Sequence, residues 1–299
     1  DINWNEKKSD IKNYKLSELI YWFKTPQKYW LNKNNISPKE IFIHHPDEEY
    51  VSNLQKSQLI TKIIQQVEID NHNIIDDLNE LNINDQLAEN GIIMPKNSIF
   101  TKEKEIKDLL SSLSASLSQH NKINKIYVKL NANKEEYLIA DDTVIELINA
   151  KLSLSRLTEA WIKLLFISSL KRNIKRTKVI FRTENNYKSQ IIQSPGATES
   201  NLILEEYINI FKNYSEKCLP LPPESAYKYV EAKIKSKNEK KAFTDKWIGN
   251  KNFSKGERDN IEMKMCFGNE KEPDFFLGNN NFDQLSYRLY GPLIKALKK

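Results

Sequence analysis

Residues 126–170, IYVKLNANKEEYLIADDTVIELINAKLSLSRLTEAWIKLLFISSL, contain the pattern that decides the fold. Alternation of apolar and polar residues predicts three strands, at 126–130, 137–140 and 144–152. A helix is predicted over 155–170, because its apolar residues recur at helical spacing. This order predicts a small sheet with a helix packed against it.

Helical patterns flank this stretch on both sides. A helix begins near Leu16, and a second is expected to be capped by Thr101 and to bury an apolar stripe. The stripe consists of Ile106, Leu109, Leu110, Leu113 and Leu117. After the sheet residues, a hairpin around 184–186 precedes further helices, so the fold class is α+β. We expect a helical part at 1–120, the sheet core at 121–197 and a helical part at 198–299, together one compact unit of a longer protein.

The composition of the 299 residues excludes several function classes. The chain has 7 glycines and no glycine-rich phosphate loop, so no nucleotide-binding fingerprint is present. Cys218 and Cys266 are far apart in sequence and lack histidine partners, which argues against a zinc cluster and favours a reducing compartment. No stretch of about 18 apolar residues predicts a membrane span. We therefore expect a cytoplasmic protein without a resident metal or cofactor.

The net charge is +6, with 46 basic and 40 acidic residues and a pI near 8.9. This excess is compatible with nucleic-acid binding, but a chain rich in lysine and asparagine also reaches it without a functional cause. The distribution of the charges is therefore more informative than their sum.

Three groups of residues carry a resemblance to a known family. The tail has LPLPPESA at 219–226, GERD at 256–259 and RLYGPL at 288–293. The second group is LTEAWIKLL at 157–165, and the third is the aromatic opening at 16–31 with its Pro26. Together, in this order, they resemble the C-terminal part of RecC, the gamma subunit of exodeoxyribonuclease V.

The resemblance implies a restriction-endonuclease-like core of the PD-(D/E)XK type, a small mixed sheet flanked by helices with extra helical parts at both ends. It also implies a lost nuclease site, RecB-like and RecD-like partner subunits, and both double- and single-stranded DNA. Membrane binding is not implied. The same resemblance implies a projecting pin that parts the DNA strands; the turn 131–134 is one candidate location, although nothing in its composition singles it out.

Active relatives bring two acids and a lysine together on a divalent cation, the acids from the end of one strand and the middle of the next. The equivalents are placed at Asp141, Asn149 and Lys151. Asn149 offers a neutral amide oxygen where a carboxylate is needed, and Glu146 lies on the opposite face of the strand. We therefore expect no catalytic residues and no metal, with the trio as a vestigial site; alternatively, the three are ordinary polar residues at strand ends.

The densest basic cluster lies after the predicted helix and contains no acid between residues 160 and 183. It comprises Lys171, Arg172, Lys175, Arg176, Lys178 and Arg182. A second group comprises Lys251, Lys255 and Arg258. Both are candidates for DNA phosphate contacts, whereas the alternative for the first is a solvated helix end whose charges offset the helix dipole. Tyr21, Trp22, Tyr29 and Trp30 could stack on unpaired bases, although clusters at this spacing more often form a core.

The resemblance, together with the missing second carboxylate, thus implies a non-catalytic domain that binds and splits duplex DNA and guides strands to partner helicase and nuclease subunits during recombinational repair of double-strand breaks. Two alternatives remain open. One is an active Mg²⁺-dependent DNA nuclease, and the other is an assembly scaffold that contacts only protein.

Overall fold

The computed structural model describes residues 15–37, 60–61, 85, 96–120, 123–130, 133–170, 173–250, 254–269 and 271–297. Its centre is a five-stranded mixed sheet in the order β1-β2-β3-β4-β5. The strands are β1 (Asn124–Leu130), β2 (Asn133–Ala140), β3 (Thr143–Ile148), β4 (Arg176–Arg182) and β5 (Tyr187–Gln193). Only the β3–β4 pair is parallel, and the others are antiparallel. The α+β class and the flanked mixed sheet are confirmed.

Two parallel strands cannot be joined by a tight turn, so the chain crosses over through a helix between β3 and β4. This helix, α4 (Leu154–Leu170), is the one predicted from LTEAWIKLL. Trp161 is buried and donates its Nε1 hydrogen to the Tyr207 hydroxyl at 3.0 Å, and Tyr207 donates to the carbonyl of Leu289 at 2.9 Å. The crossover helix is therefore fastened to the C-terminal part of the chain.

The sheet is covered on both faces. On one face Val144 and Val179 belong to the main core with α4. On the other face Ile145 and Ile180 pack with the stripe of α3 (Lys96–Leu117), all of whose five predicted members are buried. The predicted N-cap at Thr101 is wrong, because α3 begins five residues earlier and Thr101 lies inside it.

The third strand is shorter than predicted. It ends at Ile148 rather than at Leu152, because Ile148 pairs with Phe181 as the last pair of the β3–β4 register and the chain then bends at residues 149–150. Residues 149–152 therefore connect β3 to α4 rather than extend the sheet. This shift matters for the candidate site, since Asn149 is not in the middle of a strand.

The N-terminal aromatic stretch forms α1 (Leu16–Lys24) and α2 (Pro26–Lys33), with the predicted break at Thr25 and Pro26. Gln27 of α2 is completely buried, and its Nε2 donates to the carbonyls of Leu219 and Leu221 at 2.8 and 3.1 Å. These bonds hold the N-terminal helices against the proline-containing turn of the C-terminal part.

The C-terminal part is helical, as predicted, apart from a two-stranded ribbon. The helices are α5 (Ala197–Tyr214), α6 (Pro223–Ile234), α7 (Glu239–Ile248), α8 (Ile261–Phe267), α9 (Asp274–Leu277) and α10 (Asn280–Ala296), and the ribbon is β6 (Gly249–Asn250) with β7 (Ser254–Lys255). No helix of the described ranges is long and apolar enough to span a bilayer. The three-part division of the chain stays a prediction.

The three tail sequences singled out above meet around one buried carboxylate, that of Glu257 in a short 3₁₀ turn. It accepts backbone hydrogen bonds from Glu224 at 2.9 Å and Ser225 at 2.7 Å, and the Ser225 hydroxyl donates to it at 2.6 Å. Glu257 thereby satisfies the free N–H groups at the start of α6. Burial raises its pKa to about 7, against the hydrogen bonds that lower it. Tyr290 of the third sequence is buried nearby, and burial followed by the charge of Glu257 raises its pKa.

The glycine before this turn is required by close approach of the backbone. A Cβ atom on Gly256 would lie 2.3 Å from the Trp247 carbonyl oxygen, closer than van der Waals contact permits. Gly256 therefore lets the 3₁₀ turn pass against the end of α7 and place Glu257 beneath α6.

Candidate nucleic-acid interface

The structure does not bring the predicted trio together. Asp141 lies in the two-residue turn between β2 and β3, with a φ of 54°, which aspartate tolerates in tight turns. Asn149 and Lys151 follow the far end of β3. The six-residue strand that separates them spans about 20 Å at roughly 3.3 Å per residue. Because β2 and β3 are antiparallel, the end of β2 lies beside the start of β3, and a shared site for Asp141 and Asn149 is excluded.

The Asn149 amide is engaged in bonds to neighbouring side chains. Its Oδ1 accepts a hydrogen bond from the Tyr187 hydroxyl at 3.0 Å, and its Nδ2 donates to the Thr61 hydroxyl at 3.0 Å. Burial raises the pKa of Tyr187 to about 12, so the phenol keeps its proton and remains a donor. The Asn149 amide thus joins the chain after β3 to Tyr187 of β5 through its oxygen and to Thr61 through its nitrogen.

Other acids do not replace the missing carboxylate. Glu146 points to the opposite face of the sheet, as its strand position predicts, and pairs with Lys163 of α4 at 2.8 Å. In the part of the chain that the structure describes, no group of three or more His, Cys, Asp or Glu side chains is arranged to hold a metal ion.

The densest basic cluster does not form one surface. Lys171 and Arg172 lie outside the described residues. Lys178 is buried, and its Nζ donates to the Ser116 carbonyl at 3.0 Å and to Gln119 Oε1 at 2.7 Å. Desolvation lowers the pKa of Lys178. As a contact of α3 with β4, this lysine is corrected from a DNA-binding candidate to a core residue.

The remaining members of the cluster lie at opposite ends of β4. Lys175 and Arg176 stand at its start, where Asp142 pairs with them at 3.3 and 3.8 Å and Arg176 also donates to Thr143 at 2.9 Å. Arg182 stands at the other end. The basic cluster has no acid nearby in sequence, but in the structure Asp142, from the turn between β2 and β3, provides one for Lys175 and Arg176.

The second basic group is described only in part. Lys251 lies outside the described residues, Lys255 is exposed in β7, and Arg258 is partly buried in the 3₁₀ turn beside Glu257. The remaining assignments of DNA-binding residues stay predictions. The predicted strand-parting pin falls on residues 131 and 132, which lie outside the described ranges, and on 133 and 134, which begin β2.

The aromatic opening is mainly core. Trp22 and Tyr29 are buried, with the Tyr29 hydroxyl donating to Glu18 at 2.6 Å, and both rings contact Phe211 edge-on. Tyr21 and Trp30 are partly exposed. Base stacking by the whole cluster is therefore excluded, since two of its four rings are inaccessible.

A cleft that the sequence reasoning missed opens where β3 and β4 end. It has a volume of about 480 Å³ and is formed by the chain after β3 and by the β4–β5 hairpin. Its lining residues are Lys151, Leu152, Phe181, Arg182, Thr183, Glu184, Asn185, Asn186 and Lys188. Sequence reasoning had noted Lys151 and Arg182 for separate reasons. The parallel pairing of β3 with β4, which places both at one edge, was not readable from the local pattern.

Comparison with models of known protein families identifies a family for this chain. Residues 11–234 match the family model described as the RecC C-terminal domain, which covers about three quarters of the chain. None of the curated proteins matches the chain.

Proposed function

The chain belongs to the RecC C-terminal domain family and hence to the RecBCD type of exodeoxyribonuclease V, and from this premise we propose that it is a nuclease-like domain without catalytic activity that binds DNA. In this role it helps to split the duplex and guides the separated strands to RecB-like and RecD-like subunits during recombinational repair. The cytoplasm is the compartment that fits this role.

The observation that carries the proposal is the state of Asn149. Metal-dependent hydrolysis needs anionic ligands that converge on a divalent cation. At the end of β3 the chain offers an amide whose oxygen already accepts a hydrogen bond from Tyr187. The acid proposed as its companion, Asp141, lies at the other end of the strand. This arrangement supports the loss of hydrolysis, and the family supports a retained role in DNA handling.

A nuclease assay tests the catalytic half of the proposal. The chain is incubated with linear duplex and single-stranded DNA and with Mg²⁺ or Mn²⁺, and acid-soluble nucleotides are measured. We expect no release above that of a sample without protein. Asn149→Asp should not generate activity, because the new carboxylate would still be a strand length from Asp141. Metal-dependent release that is lost in Asp141→Ala would refute the proposal and favour the active nuclease.

A binding assay tests the other half. Fluorescence anisotropy with a labelled duplex carrying a single-stranded tail should show binding that weakens as salt rises, because phosphate contacts release counterions. Absence of binding at about 20 mM salt, together with retained co-purification with helicase partners, would instead support the protein-only scaffold.

A further inference from the structure

The cleft after β3 and β4 combines features that a polyanion requires. In sheets with parallel strands, the carboxyl ends of neighbouring strands form an edge from which loops can surround a ligand. Here Ile148, the last residue of β3, pairs with Phe181, the next-to-last residue of β4, so both strands end at the same edge of the sheet. Lys151 follows β3 and Arg182 ends β4, and both line the cleft. Lys188, the second residue of β5, completes the wall from the hairpin.

The cleft carries a net positive charge. Three of its lining residues are cations and one, Glu184, is an acid. Within the described ranges, the structure records ion pairs for neighbouring elements but none for Lys151, Arg182 or Lys188. This differs from the opposite end of β4, where Asp142 forms ion pairs with Lys175 and Arg176.

Arg182 supplies a second, independent observation. Its Nη1 is buried and has no hydrogen-bond acceptor in the described part of the chain. A buried donor without an acceptor is unfavourable, so this N–H group requires a hydrogen-bond partner. Arginine presents several N–H groups in a planar fork that suits phosphate oxygens, so an anion is a suitable ligand for the Arg182 guanidinium that lines the cleft.

The remaining lining residues restrict the class of ligand that fits the cleft. Phe181 offers an aromatic face, and Asn185 and Asn186 offer amides at the hairpin tip. Cations beside an aromatic ring are the combination by which proteins hold single-stranded nucleic acid, the charges following the backbone and the ring stacking on a base. A space of about 480 Å³ lies within the size range of small-ligand sites.

From these observations we propose that the cleft of Lys151, Arg182 and Lys188 binds the phosphate backbone of single-stranded DNA, one or two nucleotides at a time. This inference rests on the proposed DNA-handling function and specifies the edge of the sheet past which a separated strand runs. The Lys175–Arg176 end of β4 is assigned no contact with that strand.

Charge removal at exposed lysines tests the proposal without disturbing the core. Lys151 and Lys188 are both exposed, so Lys151→Gln/Lys188→Gln should fold normally. Lys175→Gln is the matched control, since that lysine is exposed and lies at the other end of the sheet. Binding of a labelled oligothymidylate is measured by anisotropy over a series of NaCl concentrations, in parallel with a duplex of equal length.

The double variant should bind the single strand more weakly, and the slope of log K against log salt should fall by about 1.4, or 0.7 for each lost phosphate contact. Lys175→Gln should behave as the wild type. An unchanged slope in the double variant, while the wild type binds DNA, overturns this inference alone. An equal loss for the duplex overturns its restriction to single strands. Failure of the wild type to bind any DNA at low salt refutes the proposed DNA-handling function as well.

Discussion

Replacement of Glu257 by glutamine tests the link between the tail sequences and the stability of the domain. The carboxylate is 3% exposed and caps α6 through three hydrogen bonds, yet burial raises its pKa to about 7 from an ordinary 4.5. Glutamine keeps one acceptor oxygen for the cap and removes the titration. The variant therefore separates the hydrogen bonds from the charge.

The magnitude follows from linkage. Below pH 4.5 Glu257 is protonated in both the folded and the unfolded chain, and it contributes nothing to the pH dependence. Between pH 4.5 and 7 the unfolded chain releases the proton while the folded chain keeps it, so stability falls as pH rises. A difference of about 2.5 pKa units corresponds to roughly 3 kcal/mol, and the loss is complete above the folded pKa.

The assay is urea unfolding of wild type and Glu257→Gln between about pH 4.5 and pH 8. Because all other titrating groups are shared, the difference between the two free energies of unfolding isolates Glu257. We expect this difference to move in favour of the variant by roughly 3 kcal/mol as pH rises. Glu224→Gln is the control, since Glu224 stands at the same helix end in a solvent-exposed ion pair with Lys246 and such pairs contribute about 0–1 kcal/mol.

A difference that stays constant across this range would refute the reasoning. It would mean that the hydrogen bonds from α6 hold Glu257 ionised and outweigh its burial. A difference that moves in favour of the wild type as pH rises would refute it more strongly, because it would mean that the folded state lowers the pKa of Glu257.

Three further changes follow from the structure. Tyr207→Phe should lower the free energy of unfolding by about 1–3 kcal/mol in urea titrations, because it leaves the Trp161 indole N–H and the Leu289 carbonyl unpaired. As a control, Tyr287→Phe on the exposed face of α10 should change the free energy of unfolding by less than about 0.5 kcal/mol. Treatment with diamide should oxidise Cys218 and Cys266 together, because the Cys218 thiol donates a hydrogen bond to Cys266 and thereby lowers the pKa of the Cys266 thiol. Thiol titration of the treated monomer should show the loss of both free thiols. Persistence of both thiols would contradict the contact. Lys178→Gln should leave the salt dependence of DNA binding unchanged, because the ammonium is buried against α3, and a slope reduced by about 1 would return this lysine to the interface.

Local pattern was sufficient for the elements of the fold and for much of the core. The stripe from Ile106 to Leu117 is buried as its spacing predicts, and the crossover helix forms where LTEAWIKLL predicts it. Each of these patterns lies within a single helix, so it can be recognised without knowing which elements pack against that helix. The predicted end of β3 is too late because polar and apolar residues continue to alternate from Asn149 to Leu152, whereas the pairing of β3 with β4 ends at Ile148.

The candidate site could not be predicted from local sequence pattern, because the positions of its residues depend on how the strands pair. Asp141 and Asn149 seemed compatible as long as strand direction was unspecified, and antiparallel pairing of β2 with β3 separates them. Lys178 seemed to belong to a basic patch, but acceptors on α3 draw it inward. Cys218 and Cys266, far apart in sequence, meet in space. In each case the deciding contact joins elements distant along the chain.

The hydrogen bond between Tyr187 and Asn149 has a consequence for how this lineage could change. An aspartate at position 149 could still accept the phenolic proton, but its new charge would lie beside a buried ring and would need a cation to offset it. A second carboxylate would have to arise near the start of β2, the part of that strand that antiparallel pairing directs toward the end of β3. On the proposed loss of hydrolysis, a return to activity would require carboxylates at both of these positions, which no single substitution supplies.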